Sequence, residues 1–284
     1  MAGAGIIGTG HLTDKWATRK VFGKVWEAAV EGSTLIDPRI CPTVPMTKIR
    51  GVIPLLGNGA VQSQLDEFEH ATSINAIPAG ADITLYKDRV RLAVSDEAKM
   101  DSDVGDPLQF QKMQASAELA GNLDSLIATQ IFTTPQLYGG AVTWSTASPL
   151  IALGSMISTL RPYRATAVVM SNTAFAAYVS ALGDQVYSGG SQADLEKGVT
   201  MLPGYNIPVF SSTHANDASS NGFAVISAQC PGVLLGTGAI KIRTEDNMDL
   251  GAEIWQGDYW RTPISNLRQT SGSLNLGVIV GVHS

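Results

Sequence analysis

Hydrophobic and polar positions alternate over one short stretch in the first third of the chain. Val90, Leu92 and Val94 interleave with Arg91, Ala93 and Ser95. A period of two with β-branched side chains predicts a half-buried strand. The acidic segment 96–103 has no sustained period and predicts a turn or a short helical piece. A strong helix start follows, because Asp106 can cap, Pro107 suits the first helical position and Gln109 stands three residues after the cap. Met113, Ala117, Ala120, Leu123, Ile127 and Ile131 then recur near helical spacing, and Leu108, Leu119 and Leu126 widen the stripe. Pro135 marks the stop. Roughly 26 residues at ~1.5 Å each make a helix about 39 Å long, well beyond the usual three or four turns.

Around this pair the pattern is more broken. Residues 1–12 are Gly-rich. Trp16, Val21, Phe22, Val25, Trp26 and Ala29 predict an amphipathic helix over 14–31, ending at Gly32, that needs a surface to pack on. Pro38, Pro42, Pro45 and Pro54 make the following stretch extended rather than helical. Asn58-Gly59 is a turn signal. Residues 61–94 read as a protruding excursion broken at Pro78-Ala79-Gly80, with Ile83 and Leu85 alternating up to Lys87-Asp88. A lone two-stranded ribbon is marginal in water, so it too calls for a partner surface. Beyond the long helix, Ser148-Pro149 opens a second helix through Leu160 and 166–170 is a compact buried strand. Asn172 caps a third helix over 173–182, and 184–197 is a Gly/Ser-rich loop. Strands at 205–210 and 223–226 complete an α/β unit over 145–235. The tail returns to strands at 239–244, 252–256 and 273–282.

Composition adds two expectations. The 284 residues are 44% hydrophobic but only 15% charged, too few charges to cover a solitary globule in the usual way. Surface buried against other subunits accounts for this, and so does a Gly- and Ala-rich β protein. The net charge is −6, but residues 1–50 carry seven Lys/Arg against four Asp/Glu, so the excess acid lies in the remainder. A basic leading segment can face nucleic acid or simply be a solvated arm. Cys41 and Cys230 stand at no metal or redox spacing and suit a reducing compartment. No apolar run reaches membrane-span length and the N-terminus does not read as a secretion signal, so a soluble protein made in a cytosol is expected.

The motifs for chemistry are decoys. Gly3-Ala4-Gly5-Ile6-Ile7-Gly8 matches a dinucleotide fingerprint, but no strand can precede residue 3. In the calcium-loop echo from Asp101 to Asp106 the glycine falls one place early, and Lys112 stands where a bidentate Glu is needed. His11, His70, His214 and His283 are widely spaced. Trp255, Tyr259 and Trp260 could stack bases, but at strand spacing they read as core or interface. No catalytic residue, cofactor site or metal site is expected.

Three stretches carry a resemblance. V-R-L-A-V-S-D-E-A-K-M-D-S-D (90–103), followed by the long helix with Asn122-Leu123-Asp124, is the strongest. A-V-V-M-S-N-T-A-F-A-A-Y (167–178) and L-P-G-Y-N-I-P-V-F-S-S (202–212) are the others. In this order they resemble major capsid proteins of the HK97-like fold, found in tailed bacteriophages and related archaeal viruses. The run to Asp101-Ser102 is similar to the family's strand and acidic turn before its spine helix, and Asp124 falls where the family often carries an Asp.

The resemblance implies an α+β fold: an N-terminal arm (1–50), an extended β loop with flanking strands (51–104), a peripheral domain with the spine helix (105–144 and 236–284) and an α/β axial domain (145–235). It implies a non-enzymatic virion protein, made in the host cytoplasm, forming hexamers and pentamers of an icosahedral shell around double-stranded DNA contacted nonspecifically. Portal, scaffold and decoration proteins are further candidate partners, and no membrane is expected. Trp16, Phe22, Trp26, Ile83, Leu85, Lys87 and Arg89 are the expected inter-subunit contacts. Some family members crosslink a loop lysine to a neighbour. Lys87 lies in that region, but no matching Asn or Glu is found and the crosslink is not carried over. About 105 residues precede the long helix, so a long fused scaffold is expected to be absent or already removed. Two alternatives stay open: an encapsulin-type nanocompartment shell packaging a cargo enzyme, and a soluble α/β enzyme with dispersed catalytic groups.

Overall fold

Two sheets share one long helix, and the chain crosses between them several times. The computed structural model describes residues 22–54, 80–95, 107–133, 135–142, 144, 148–161, 163–182, 199–217, 220–228, 233–247, 252–265 and 275–283. The Gly-rich start, Trp16, the Asn58-Gly59 turn, the acidic segment and the loop at 184–197 lie outside these residues.

The first sheet has five strands: β1 (Thr43–Pro45), β4 (Tyr86–Ser95), β11 (Val233–Thr237), β12 (Lys241–Asn247) and β13 (Ala252–Ser265). The long β13 is its axis. It pairs antiparallel with β4 along one edge and with β12 and β11 in succession along the other. The second sheet has seven strands: β5 (Pro135–Val142), β14 (Asn275–His283), β10 (Ser220–Ile226), β6 (Ala167–Ser171), β8 (Ile207–Ser212) and β7 (Val199–Leu202), with β9 (Asn216–Asp217) on β10. A separate two-stranded sheet joins β2 (Arg50–Pro54) to β3 (Gly80–Thr84). The excursion expected over 61–94 is therefore divided: β3 pairs with β2 from before it, Tyr86–Ser95 is a strand of the five-stranded sheet, and 61–79 lie outside the described residues. The tail strands also separate, with β14 in the seven-stranded sheet and β12 and β13 in the other.

Helix α1 occupies 22–32 of the described residues. Helix α2 (Pro107–Thr133) is 27 residues long, about 40 Å at ~1.5 Å per residue. Its buried stripe is Leu119, Leu123, Ile127 and Ile131, flanked by Ala120, Asp124 and Ala128. These residues share one core with Val169, Ile226 and Val280 of the second sheet and with Leu92 and Tyr259 of the first. The expected stripe fails at its beginning, since Met113 is 68% exposed and Ala117 is also exposed.

On the other face of the second sheet, α3 (Pro149–Thr159) and α4 (Asn172–Leu182) cover Val168, Met170, Phe223, Val225 and Ile279. Strand β6 is buried at all five positions, as its unbroken apolar run requires of a strand covered on both faces. The cap of α4 is Ser171 rather than Asn172: the Ala174 N–H donates to Ser171 Oγ at 3.1 Å. Pro203-Gly204 makes the β7–β8 turn, with Gly204 at φ 79° and Asn206 at φ 55°, the positive φ that a type II turn and its exit require.

Candidate functional site

The arm helix has a seat on its own chain. Phe22, Val25 and Ala29 are buried. The Phe22 ring lies where β13 has Gly257, so close that a Cβ there would stand 2.5 Å from its Cδ1. The Tyr259 hydroxyl donates to the Phe22 carbonyl at 3.0 Å, and Trp26 stacks on the Tyr259 ring at 5.7 Å between centroids. Burial raises the Tyr259 hydroxyl's pKa, so the group stays a protonated donor.

At the far end of α1, the long helix holds the chain with one carboxylate. Asp124 is 7% exposed. It accepts from the Ser33 hydroxyl, and at 3.0 Å each from the Thr34 hydroxyl, the Thr34 N–H and the Leu35 N–H. The two N–H groups are freed where α1 ends, so the carboxylate satisfies donors that burial would otherwise strand. Beside this clamp opens a groove of about 660 Å³ whose walls include Ala28 and Gly32 of α1, Ala117 and Gly121 of α2, Asn172 at the start of α4 and His214 just after β8. The next turn crosses to that sheet. Arg39 returns onto Asp37 through Nε at 2.9 Å and its terminal nitrogen at 2.8 Å. The hydrogen bond from Arg39 holds the Asp37 carboxyl below its ordinary pKa against the opposing effect of burial.

The two faces of the five-stranded sheet differ in chemistry. Tyr86, Asp88, Val90 and Leu92 point to the helix side, and Leu92 is buried there. Lys87, Arg89 and Arg91 point to the opposite side. One end of that opposite side is closed by Ile83 and Leu85, which are 2% and 3% exposed. The missing side chains of Gly236 and Gly238 make Leu85's seat: a Cβ would meet it at 3.2 and 3.0 Å. Farther along, Arg89 Nε bonds Asp258 at 2.9 Å, and Lys87 and Lys241 stand 5.9 and 5.6 Å from the Trp260 ring centroid. Burial would raise the Asp258 carboxyl. The Arg89 hydrogen bond and charge, aided by Lys87 and the Gln256 amide, outweigh it and hold the pKa low. On the helix side, Arg261 is 1% exposed and donates through Nε to Asp88, while its other two nitrogens lack a hydrogen-bond partner. Burial lowers the Arg261 pKa, and Asp88 opposes it.

Of the expected contact residues, Phe22, Ile83 and Leu85 are buried within the subunit, Phe22 against Gly257 and Leu85 against Gly236 and Gly238. Trp26 is half-buried on Tyr259. Lys87 and Arg89 are exposed, and Trp16 lies outside the described residues. The large apolar side chains left most exposed among the described residues are Phe110 (58%), Met113, Ile151 (72%), Val52 (63%) and Tyr86 (69%), and Leu126 of the expected stripe is also exposed. Sequence reasoning had placed Met113 and Leu126 in the core and passed over the others, because a period reports amphipathicity without saying where a helix leaves its neighbours. Cys41 is inert in this setting, its thiol pushed up to about 12 by burial. Among the described residues no group of three or more His, Cys, Asp or Glu could hold a metal, and no helix is long and apolar enough to cross a membrane.

No family model and no curated protein matches the chain. Solved structures do. The capsid of cyanophage P-SCSP1u superposes with a TM-score of 0.58 over 87% of each chain at 13% identity. The virus-like particle from Pyrococcus furiosus gives 0.57 over 91% of this chain and 98% of that one at 9% identity. The holo-SrpI encapsulin complex from Synechococcus elongatus gives 0.56 over 86% and 85% at 10% identity. The likeness runs through nearly the whole chain and establishes the fold: an α+β, HK97-like shell-protein fold.

Proposed function

We propose that this chain is a major capsid protein, a structural subunit that assembles with copies of itself into a closed icosahedral shell and resides in the virion. The observation that carries the reading is the extent of the fold match. Most of the chain superposes on most of each shell protein. Hexamers and pentamers joined by many modest heterologous contacts give the closure. The exposed apolar side chains Phe110, Met113, Ile151 and Val52 are the surfaces for those contacts, each gaining about 25 cal/mol per Å² of apolar area covered. Double-stranded DNA is the proposed content, held without sequence preference. Portal, scaffold and decoration proteins remain proposed partners.

A nanocompartment around a cargo enzyme is the second reading, favoured by the encapsulin neighbour's equal likeness. Expression of the full chain alone, followed by size-exclusion chromatography and negative-stain electron microscopy, tests both. Hollow particles or rings of five or six subunits are expected. Shells from native source containing nucleic acid support the virion, and shells containing a folded enzyme support the compartment. A compact monomer or dimer at every concentration, with or without co-expressed neighbouring genes, rejects the shell.

A further inference from the structure

We infer that the open face of the five-stranded sheet is an electrostatic docking surface for the carboxylates of a second copy of this chain. The inference rests on the shell reading. Its basis is register. Lys87 lies opposite Trp260, Arg89 and Lys241 flank Asp258, and Arg91 and Arg243 flank Gln256, so all five cations lie on one face across β4, β13 and β12. All five are exposed. Residues two apart on a strand are about 6.8 Å apart and neighbouring strands about 4.8 Å, so the cations occupy a patch of about 14 by 10 Å. Only Arg89 has a carboxylate partner there, Asp258, which is itself buried. Among the residues whose side chains are described, no ion pair joins Arg91, Lys241 or Arg243 to a carboxylate, and Lys87 only adds its charge to that of Arg89 on Asp258. Glu245 takes the next rung, opposite Ile254.

Like charges held in adjacent rows repel, and a surface made only for solubility interleaves its signs. This face does the reverse, in a chain whose net charge is −6. Copies of an acidic chain crowded into one shell repel each other unless basic and acidic patches meet. The acid is available in the same sequence: 55–79 carries Asp66, Glu67 and Glu69 with no Lys or Arg, and 96–106 carries five Asp/Glu against Lys99. The patch is short and has the Asp258 carboxylate at its middle, which fits discrete carboxylates better than the continuous phosphates of a duplex.

The full chain carrying Arg91→Glu and Arg243→Glu tests this, beside wild type and the conservative Arg91→Lys, Arg243→Lys pair. Particle fraction is read by size-exclusion chromatography and negative stain, folding by far-UV circular dichroism, and binding of a short DNA duplex by fluorescence anisotropy. The Glu pair is expected to stay folded with its particle fraction down at least about tenfold, while the Lys pair assembles. Wild-type assembly should weaken between about 0.1 and 1 M salt, as the screening length falls from about 10 to about 3 Å. If the Glu pair disturbs folding, Arg91→Gln with Arg243→Gln carries the test with a smaller loss. Shells from the Glu or Gln pair at wild-type yield overturn the inference and leave the shell reading intact. So do intact shells that have lost only duplex binding, which would assign the face to nucleic acid. Absence of shells from wild type removes the shell reading and this inference with it.

Discussion

The two sheets use their residues in opposite ways. The seven-stranded sheet is covered on both faces, and its central strand β6 is buried throughout. The five-stranded sheet is covered on one face by α1 and α2, while among the described residues its other face is closed at the Ile83–Leu85 end and presents five exposed cations around the buried Asp258. A sheet with two apolar faces completes itself within one chain. A sheet with one apolar and one charged face leaves a surface for another molecule. Within the chain, Phe22, Val25 and Ala29 of α1 cover one face of the five-stranded sheet, and Ile83 and Leu85 close one end of the other.

The sharpest break of this contrast is Val169→Asp at the centre of β6. An unpaired carboxylate at a position of 0% exposure should cost on the order of 4 kcal/mol or more, seen as insoluble protein or lost near-UV circular dichroism. Arg243→Ala, on the open face, should leave the urea midpoint of the subunit within about 0.5 kcal/mol of wild type.

Asp124→Ala comes next. It strands the Thr34 and Leu35 N–H groups, so stability in urea should fall by about 3 kcal/mol. Hydrogen exchange should accelerate at residues 33–35 before it changes in β6. Asp124→Asn, which keeps an acceptor oxygen, should lose less.

Gly257→Ala should cost about 1–3 kcal/mol by forcing the Phe22 ring off its seat. Combining it with Phe22→Leu should recover part of that loss, a coupling read from a double-mutant cycle. Purely additive losses would mean that the ring is not seated on this glycine.

The smallest effect is in pH. The Asp258 pKa is lowered on folding, so its contribution to stability is fully present above the ordinary carboxylate range and is lost as pH falls through the lower folded value. Arg89 is 46% exposed, which screens the pair and keeps the contribution small. Arg89→Gln should therefore flatten the acid limb of a thermal-unfolding series and leave the region around neutrality unchanged.

Much of this architecture was legible in residues. The alternation from Val90 to Val94 is in β4, Pro107 is the first residue of α2, and the unbroken apolar run at 167–170 is in β6. Asp124 was marked by resemblance, though its four donors lie about ninety residues earlier in the chain and no local pattern points to them. Strand β13 was foreseen over only five of its fourteen residues, because Gly257, Asp258, Arg261 and Pro263 break every apolar period. Three of the four are explained by a contact from elsewhere: Phe22 over Gly257, Arg89 on Asp258 and Asp88 on Arg261. Strands β5 and β11 were passed over for a related reason, since both are specified by the strands they pair with.

The sequence by itself determined the element types, the order that resembles a shell protein, and the split of Lys87, Arg89 and Arg91 from Val90 and Leu92. These follow from backbone periodicity and from neighbours a few residues away. Only the tertiary structure decided that Phe22, Ile83 and Leu85 are interior, that Met113 and Phe110 are exterior, and that cations from β4 and β12 meet on one face. Those outcomes depend on which distant strand supplies a glycine or a parallel row of side chains, and pairing across more than a hundred residues leaves no trace in local spacing.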